Sequence, residues 1–388
     1  LLLAGLQHPK CRAVLAVTDD EESNLAIAIA VRLLSPDVAV IGRCSSESVA
    51  ANMASFGTDH IINPYARFAE YLALAVGAPE RFRLVELLTA LPESPLPEPH
   101  RPPTGNWILC GYGRFGHLLV DHLRPAGIEL TIIDPDCDPD CVPGTIRGYG
   151  TEAVTLRQAG IANAVGIIAG SDNDVNNLSI AVTASELKPS LFVVARQNHS
   201  ANSLLFETYD ADFTMVPGRI VAQECIAILT TPLLAAFLDL LRHQDESWSA
   251  ALVSRLQQLN NGLTPLIWGI KLNIAEAPGA YRALMGGERI SLGAIMRDGT
   301  DRSQPLPVVA LLVRRNREDF LLPDEDFLLD AGDQLLLASP LAARHNLELT
   351  LHNPNELDYV LTGEEISGSW LWNKWLAHKK AVEKARCA

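Results

Sequence analysis

The sequence of 388 residues predicts an α/β fold with two doubly wound parallel-sheet domains, followed by a small α+β subdomain. Three observations lead to this prediction. A repeat recurs at an offset of 153 residues, short apolar runs alternate with amphipathic segments, and a glycine-rich turn stands between a strand-like run and a helical one.

The repeat aligns residues 16–43 with residues 169–196 without a gap. Each copy reads as strand, polar turn, amphipathic helix, strand, helix and short strand, an order that implies parallel strands joined by crossover helices. The predicted strands are 13–17, 38–42 and 60–62 in the first copy, and 165–169, 191–195 and 213–215 in the second. Identities at the common offset pair Asn24 with Asn177, Pro36 with Pro189, Arg43 with Arg196, Asp59 with Asp212, and Pro64 with Pro217.

An additional half precedes the second copy. A predicted strand over 106–110 runs into the sequence GYGRFG, a helix over 117–123 and a second strand over 129–133, which ends at Asp134. A G-x-G-x-x-G turn between strand and helix, with an acidic residue 18 positions beyond its last glycine, is typical of a dinucleotide-binding Rossmann domain. Both domains are therefore expected to be Rossmann-like. The first is expected to be truncated, because its corresponding half would precede Leu1.

These patterns predict five segments. The first Rossmann-like domain covers 1–90, a stiff linker with six prolines covers 91–105, and the complete Rossmann domain covers 106–240. A small α+β subdomain over 241–345 carries strand-like runs at 306–314 and 334–338. The tail over 346–388 combines three tryptophans with basic residues. It could dock on another subunit or a membrane surface, or pack on its own domain.

Composition narrows the class of protein. Apolar residues make up 48% and charged residues 20%, which suits a folded chain, and a net charge of −15 argues against a nucleic-acid partner. The seven scattered cysteines indicate reduced thiols, and no apolar run is expected to span a membrane. An acidic cluster could bind a divalent cation or form a solvated face, and it comprises Asp324, Glu325, Asp326, Asp330 and Asp333.

The glycine-rich turn supplies the first candidate site residues. Gly111 permits the tight turn, Gly113 lets the backbone approach a diphosphate, and Gly116 lets helix and strand pack closely. The backbone N–H groups of Arg114, Phe115 and Gly116 open the helix and would face phosphate, with the Arg114 side chain as a further charge contact. The alternative is a glycine-rich turn without a ligand.

Asp134 would accept hydrogen bonds from the adenosine ribose, and its charge favours NAD, ADP or AMP over NADP. The ends of later strands carry further candidates for contacts with the ligand. These residues could instead cap helices or pair with a carboxylate. They are Thr151, Glu152, Ser171, Asp172 and Arg196.

Catalytic machinery is not evident in the sequence. No Ser/His/Asp or Cys/His set stands out, and the third region offers no recognisable proton relay, so we do not expect an enzyme. An NAD-dependent oxidoreductase remains the alternative, and turnover of NADH with a carbonyl substrate would support it.

Taken together, GYGRFG with Asp134, the run LRQAGIANAVGIIAGSDNDVNNLSIAVTASELKPSLFVVAR, Asp212 and Pro217 resemble the RCK domain, also called the Trk-type NAD-binding domain. The resemblance covers about 106–235 as a whole copy and about 1–88 as a truncated one, and 264–339 resembles the family's C-terminal subdomain. One departure is Gly148-Tyr149-Gly150-Thr151, where the family often has Gly-Asp-Ala. The first copy also lacks an evident C-terminal subdomain.

The resemblance implies a ligand-sensing gating ring on the cytoplasmic side of the cell membrane. NAD or another adenine nucleotide would bind, and a tetramer of chains would present eight such domains to a potassium channel pore. The pore is expected on the same polypeptide, upstream of Leu1. A peripheral subunit of a Trk-type potassium uptake system is the alternative.

Overall fold

The computed structural model describes residues 3–95, 101–138, 140 and 142–363. It contains two compact units. The first comprises Leu1–Phe82 and Glu98–Ala227, and the second comprises Arg83–Pro97 and Ile228–Ala388. Both copies of the strand repeat thus lie in the first unit, whereas the sequence pattern places its boundaries near 90 and 240. The tryptophan-rich part of the tail lies outside the described residues.

The first copy forms a three-stranded parallel sheet in the order β1-β2-β3. The predicted strands are found within one residue at either end. Its elements are β1 (Ala13–Ala16), α1 (Glu21–Leu34), β2 (Ala39–Arg43), α2 (Glu47–Ser55) and β3 (His60–Ile62), followed by α3 (Pro64–Gly77) and α4 (Pro79–Thr89).

The second copy forms a six-stranded parallel sheet. Its elements are β4 (Asn106–Cys110), α5 (Arg114–Leu123), β5 (Glu129–Asp134), β6 (Thr145–Arg147), α6 (Ala153–Gln158), β7 (Gly166–Ala169), α7 (Asp174–Leu187), β8 (Phe192–Arg196), a 3-10 turn (Ser200–Asn202), α8 (Ser203–Tyr209), β9 (Phe213–Met215), α9 (Pro217–Thr230) and α10 (Pro232–Leu241). The order β6-β5-β4-β7-β8-β9 reverses direction at β4, where open sheets of this kind bind ligands. The α/β fold with parallel sheets is confirmed.

Two pairs of identical residues in the repeat make the same contacts with the backbone in both copies. Asn24 is fully buried, accepts from Thr18 N at 2.8 Å and donates to Arg43 O at 3.0 Å. In the second copy Asn177 accepts from Ser171 N at 2.9 Å and donates to Arg196 O at 2.7 Å. The carboxylates of the other pair, Asp59 and Asp212, each accept a 2.7 Å hydrogen bond from the second strand of their own copy, through Val40 N and Val193 N.

Helix α3 of the first copy packs against α5 of the second inside the first unit. Phe68 and Leu72 are buried on α3 in the same apolar cluster as Phe115 and Leu119 on α5. The Phe68 and Phe115 ring centroids lie 5.9 Å apart, a distance at which aromatic pairs attract. The helix that carries the glycine-rich turn is therefore supported by the other copy.

The second unit is built on an antiparallel sheet of order β10-β13-β11-β12. Leu84, Leu87 and Leu88 of α4 are buried in one of its apolar clusters, together with Phe237 of α10 and Leu336 of the sheet. Its elements beyond α10 are α11 (Glu246–Leu259), β10 (Leu266–Lys271), α12 (Pro278–Met285), α13 (Leu292–Ile295), β11 (Val309–Arg315), β12 (Glu318–Leu321), β13 (Gln334–Ser339), α14 (Leu341–His352) and α15 (Pro354–Thr362).

No single helix among the described residues has the length and apolar composition of a membrane span. The pair α9 and α10, bent by 111° at the break between them, passes that test only when the two helices are taken together.

Two members of the acidic cluster in the second unit pair with one arginine. Arg315 lies 2.8 Å from Asp330 and 2.7 Å from Asp333. Among the residues the structure describes, no group of three or more His, Cys, Asp or Glu side chains is placed to hold a metal ion.

Candidate functional site

The glycine-rich turn joins β4 to α5 at the point where the sheet order reverses. Gly111 has φ +101°, a conformation that side chains rarely adopt, and a Cβ on Gly116 would overlap the carbonyl oxygen of Gly111. Gly113 occupies the N-cap position of α5 without a side-chain cap, and a Cβ there would meet nothing within 4 Å. The start of α5 is therefore open on the side of Gly113, and no side chain caps the first N–H groups of this helix, which remain available to a diphosphate.

Asp134 ends β5 directly beside this turn. Its carboxylate accepts from Tyr112 N at 2.7 Å, from Asp136 N at 2.9 Å and from Cys137 N at 3.0 Å. These three backbone donors hold the half-buried carboxylate against the glycine-rich turn. A carboxylate has about four acceptor positions, so capacity remains for a sugar hydroxyl.

Thr151 and Glu152 follow β6 at the same edge of the sheet. Thr151 is half-buried, and Glu152 precedes α6 and accepts from the Thr155 hydroxyl at 3.1 Å. Gly150 is required by packing, since a Cβ there would lie 2.5 Å from the sulfur of Cys110. Any role of Thr151 and Glu152 in ligand binding stays a prediction.

Ser171 and Asp172 follow β7. The Ser171 hydroxyl donates to Asn177 Oδ1 at 2.8 Å, as its backbone N–H also does, so this serine serves the Asn177 network. Asn173 caps α7 through Val175 N and Asn176 N, and Asp172 is exposed in the turn before it.

Arg196 ends β8 and is only 8% exposed. It donates to Tyr65 Oη at 2.7 Å and to Gly170 O at 3.3 Å, and its guanidinium lies 5.4 Å from the centre of the Phe115 ring. Burial lowers the pKa of this guanidinium. No carboxylate within the described residues forms an ion pair with it, and its Nε has no hydrogen-bond partner. The equivalent Arg43, in contrast, pairs with Asp19.

Arg114 points toward the first copy. Its Nη1 donates to Glu21 Oε1 at 3.0 Å and to Ser45 Oγ at 3.2 Å. Sequence reasoning did not single out Glu21, Ser45 or Tyr65, because these contacts join residues 69 to 131 positions apart. The site thus brings together the glycine-rich turn, Asp134 and Arg196, and adds a polar group from the other repeat.

Both copies of the repeat match known proteins. The family model described as the TrkA-N domain matches residues 1–64 and 107–217. Potassium channel protein 1 of Methanocaldococcus jannaschii is 26% identical over 148 residues, which cover 36% of this chain and 44% of that protein. The Trk system potassium uptake protein TrkA of Halomonas elongata is 23% identical over 264 residues, covering 65% of this chain and 49% of that protein. The chain spans less than half the length of these two relatives.

Solved structures also resemble the chain. One described as the GsuK channel bound to NAD has a TM-score of 0.49 and 16% identity, covering 90% of this chain and 68% of that one. The GsuK RCK domain has a TM-score of 0.47 and 16% identity, covering 94% of this chain and 83% of that one. The match of the TrkA-N model to residues 1–64 and 107–217 confirms the resemblance that the sequence motifs indicate.

Proposed function

We propose that this chain is a ligand-sensing region that regulates potassium conductance, and that it binds NAD, ADP or AMP at the β4–α5 turn. One observation carries the proposal. The uncapped N-terminus of α5 borders open space at Gly113, and the fixed carboxylate of Asp134 lies beside it.

The residues present suit an adenine nucleotide. The N–H groups of Arg114, Phe115 and Gly116, with the positive end of the helix dipole, would hold the diphosphate. Asp134 would accept from the ribose hydroxyls and repel a 2′-phosphate, so NADP would bind more weakly than NAD. The buried guanidinium of Arg196 lies against the ring of Phe115, the second residue of α5. Its charge therefore adds positive potential behind the turn.

Support for a role in potassium transport comes from the named relatives, a potassium channel protein and a potassium uptake protein. The pore on the same polypeptide, the tetrameric ring and the cytoplasmic location belong to this proposal, as does the absence of catalysis. A peripheral uptake subunit is the alternative arrangement. In either arrangement, a nucleotide shifts conductance only through a difference in its affinity for the two conformations.

Isothermal titration calorimetry with NAD, ADP, AMP and NADP tests the site. The wild-type chain should bind the first three more tightly than NADP, and Asp134→Ala should weaken NAD binding by about tenfold or more, since a hydrogen bond to a charged group contributes ~1.5–3 kcal/mol. Asp136→Ala removes an exposed carboxylate two residues away and should bind like the wild type. Equal binding by Asp134→Ala and Asp136→Ala would contradict the assignment of the ribose site.

Two further measurements address the biological role. In a bacterial strain deficient in potassium uptake, the full-length gene with Asp134→Ala should alter potassium flux relative to Asp136→Ala. Incubation of the chain with NADH and a panel of carbonyl substrates should leave the 340 nm absorbance of NADH constant. Steady NADH consumption would instead support an oxidoreductase.

A further inference from the structure

A carboxylate from the first copy contacts the first residue of α5, next to the turn that is proposed to hold phosphate. Arg114 is the first residue of α5, and its guanidinium lies 3.0 Å from the carboxylate of Glu21, which is the first residue of α1. The Arg114 side chain is 63% exposed and that of Glu21 is 20% exposed. Glu21 therefore lies one arginine side chain away from the turn proposed to hold phosphate, within the same compact unit.

Glu21 is held in place and stays charged. The Ser45 hydroxyl and the Ser45 N–H, the latter at 3.2 Å, donate to one of its oxygens, and the Cys44 thiol lies 3.5 Å from the other. Burial raises the pKa of Glu21, but the hydrogen bonds from Ser45 and the charge of Arg114 outweigh that effect and leave the pKa below its usual value. At neutral pH the Glu21 carboxylate is therefore ionised and paired with Arg114.

The second copy shows that an acidic residue at this position can stabilise the start of its helix without contacting the glycine-rich turn. The equivalent residue of the second copy is Asp174, which opens α7 in the same way. Asp174 is satisfied inside its own copy, where it accepts from Asn198 N at 2.6 Å, His199 N at 3.0 Å and Asn202 Nδ2 at 2.7 Å. Glu21 keeps the equivalent contact with Ser45 N at 3.2 Å, and its longer side chain also reaches Arg114, a contact that the described structure does not show for Asp174.

We infer that Glu21 determines how many phosphates the site accepts. The inference rests on the proposed nucleotide site. The diphosphate of ADP is terminal, and that of NAD continues into an uncharged sugar. Either can lie on the N-terminus of α5 without approaching Glu21. The third phosphate of ATP brings further negative charge to the end where Arg114 is already paired with Glu21, and like charges at this range repel. Glu21 thus selects ADP and NAD over ATP.

Calorimetry on the whole chain tests this inference. ADP and ATP are titrated in EDTA, so that no divalent cation masks the phosphate charge, into the wild type, Glu21→Gln, Glu21→Asp and Glu22→Gln. Glu22 is exposed in the same first turn of α1 and carries the same charge, which makes it the matched control. The ratio of the ATP and ADP dissociation constants is the readout, because a general loss of stability does not change it.

Glu21→Gln should lower that ratio by about fivefold to tenfold, which is the effect expected from removing one partly screened negative charge near the third phosphate of ATP. Glu21→Asp should retain most of the wild-type preference, and Glu22→Gln all of it. An unchanged ratio in Glu21→Gln, with ADP still bound, would overturn the inference and leave the nucleotide site standing. If the wild type binds neither nucleotide, the proposed site itself fails, and the inference fails with it.

Discussion

Asn24 and Asn177 show how one side chain can fix the geometry of a repeat. Each is fully buried, and each links the turn after the first strand of its copy to the end of the second strand. Neighbouring strand ends are thereby held in register at the edge of the sheet where ligands bind. The identity of these residues in both copies is explained by this backbone linkage.

Replacing Asn177 by Ala should lower the free energy of unfolding by about 2–4 kcal/mol, because Ser171 N and Arg196 O would lose their buried partner. The thermal midpoint measured by scanning calorimetry should fall accordingly, and Asn24→Ala should have a comparable effect. Asn176→Ala, at an exposed position of the same helix, is the control. A midpoint for Asn177→Ala equal to that of the control would refute this account.

Gly150 illustrates a departure from the family pattern that packing explains. The family often has Ala where this chain has Gly150, but a Cβ there would collide with Cys110, which ends β4 and is fully buried. Burial also raises the pKa of this thiol to about 12, so Cys110 acts as an apolar core residue. The size of Cys110 therefore requires glycine at position 150.

At the scale of elements, the sequence predicted best the strands that are apolar and bounded by turn residues. The strands His60–Ile62, Asn106–Cys110 and Phe213–Met215 have the predicted bounds. The short strand Thr145–Arg147 was expected before Thr151 but was given no bounds, because it follows a loop rich in Asp, Pro and Gly and has no apolar run. Glu318–Leu321 was missed because it begins with two acidic residues, and only pairing with β11 makes it a strand.

The same distinction applies to the candidate site. The glycine-rich turn and Asp134 lie within 24 residues of each other, so local pattern sufficed to find them. Glu21 and Tyr65 belong to the site only through the packing of α3 and the first copy against α5. No periodicity or motif encodes that packing, and the sequence alone did not reveal these residues.

The packing of α3 on α5 supplies a test at this scale. Phe68→Ala should lower the free energy of unfolding by about 3–4 kcal/mol, because it leaves a cavity beside Phe115. It should also weaken NAD binding, since Phe115 is the second residue of α5. Calorimetric midpoints and NAD titrations measure both effects. Leu33→Ala, which truncates a side chain that is 80% exposed, should change neither, and equal results for the two variants would argue against the support role of α3.

At the scale of the molecule, the two compact units do not follow the order of the sequence. The segment Arg83–Pro97 lies between the two copies of the first unit but belongs to the second. Its helix α4 buries Leu84, Leu87 and Leu88 against residues that occur after position 228. The sequence repeat, which extends the first predicted domain to residue 90, gives no indication of this packing.

A fragment comprising residues 1–227 should therefore expose these three leucines. We expect it to bind the dye ANS and to self-associate in analytical ultracentrifugation, because a contiguous apolar patch loses its cover. The same fragment with Leu84→Glu, Leu87→Glu and Leu88→Glu should remain monomeric and bind little dye. A wild-type fragment that is monomeric and binds no dye would contradict the assignment of α4 to the second unit.

The placement of α4 also has a consequence for synthesis on the ribosome. Leu84 leaves the exit tunnel about 250 residues before Leu336, one of its partners in the finished core. Domains generally fold as they emerge from the ribosome. The strand repeats on either side of α4 can therefore form before the antiparallel sheet that packs against α4 has been synthesised. The apolar face of α4 therefore stays incompletely covered until α10 and the sheet have been synthesised, and we expect a chaperone to bind this segment during that time.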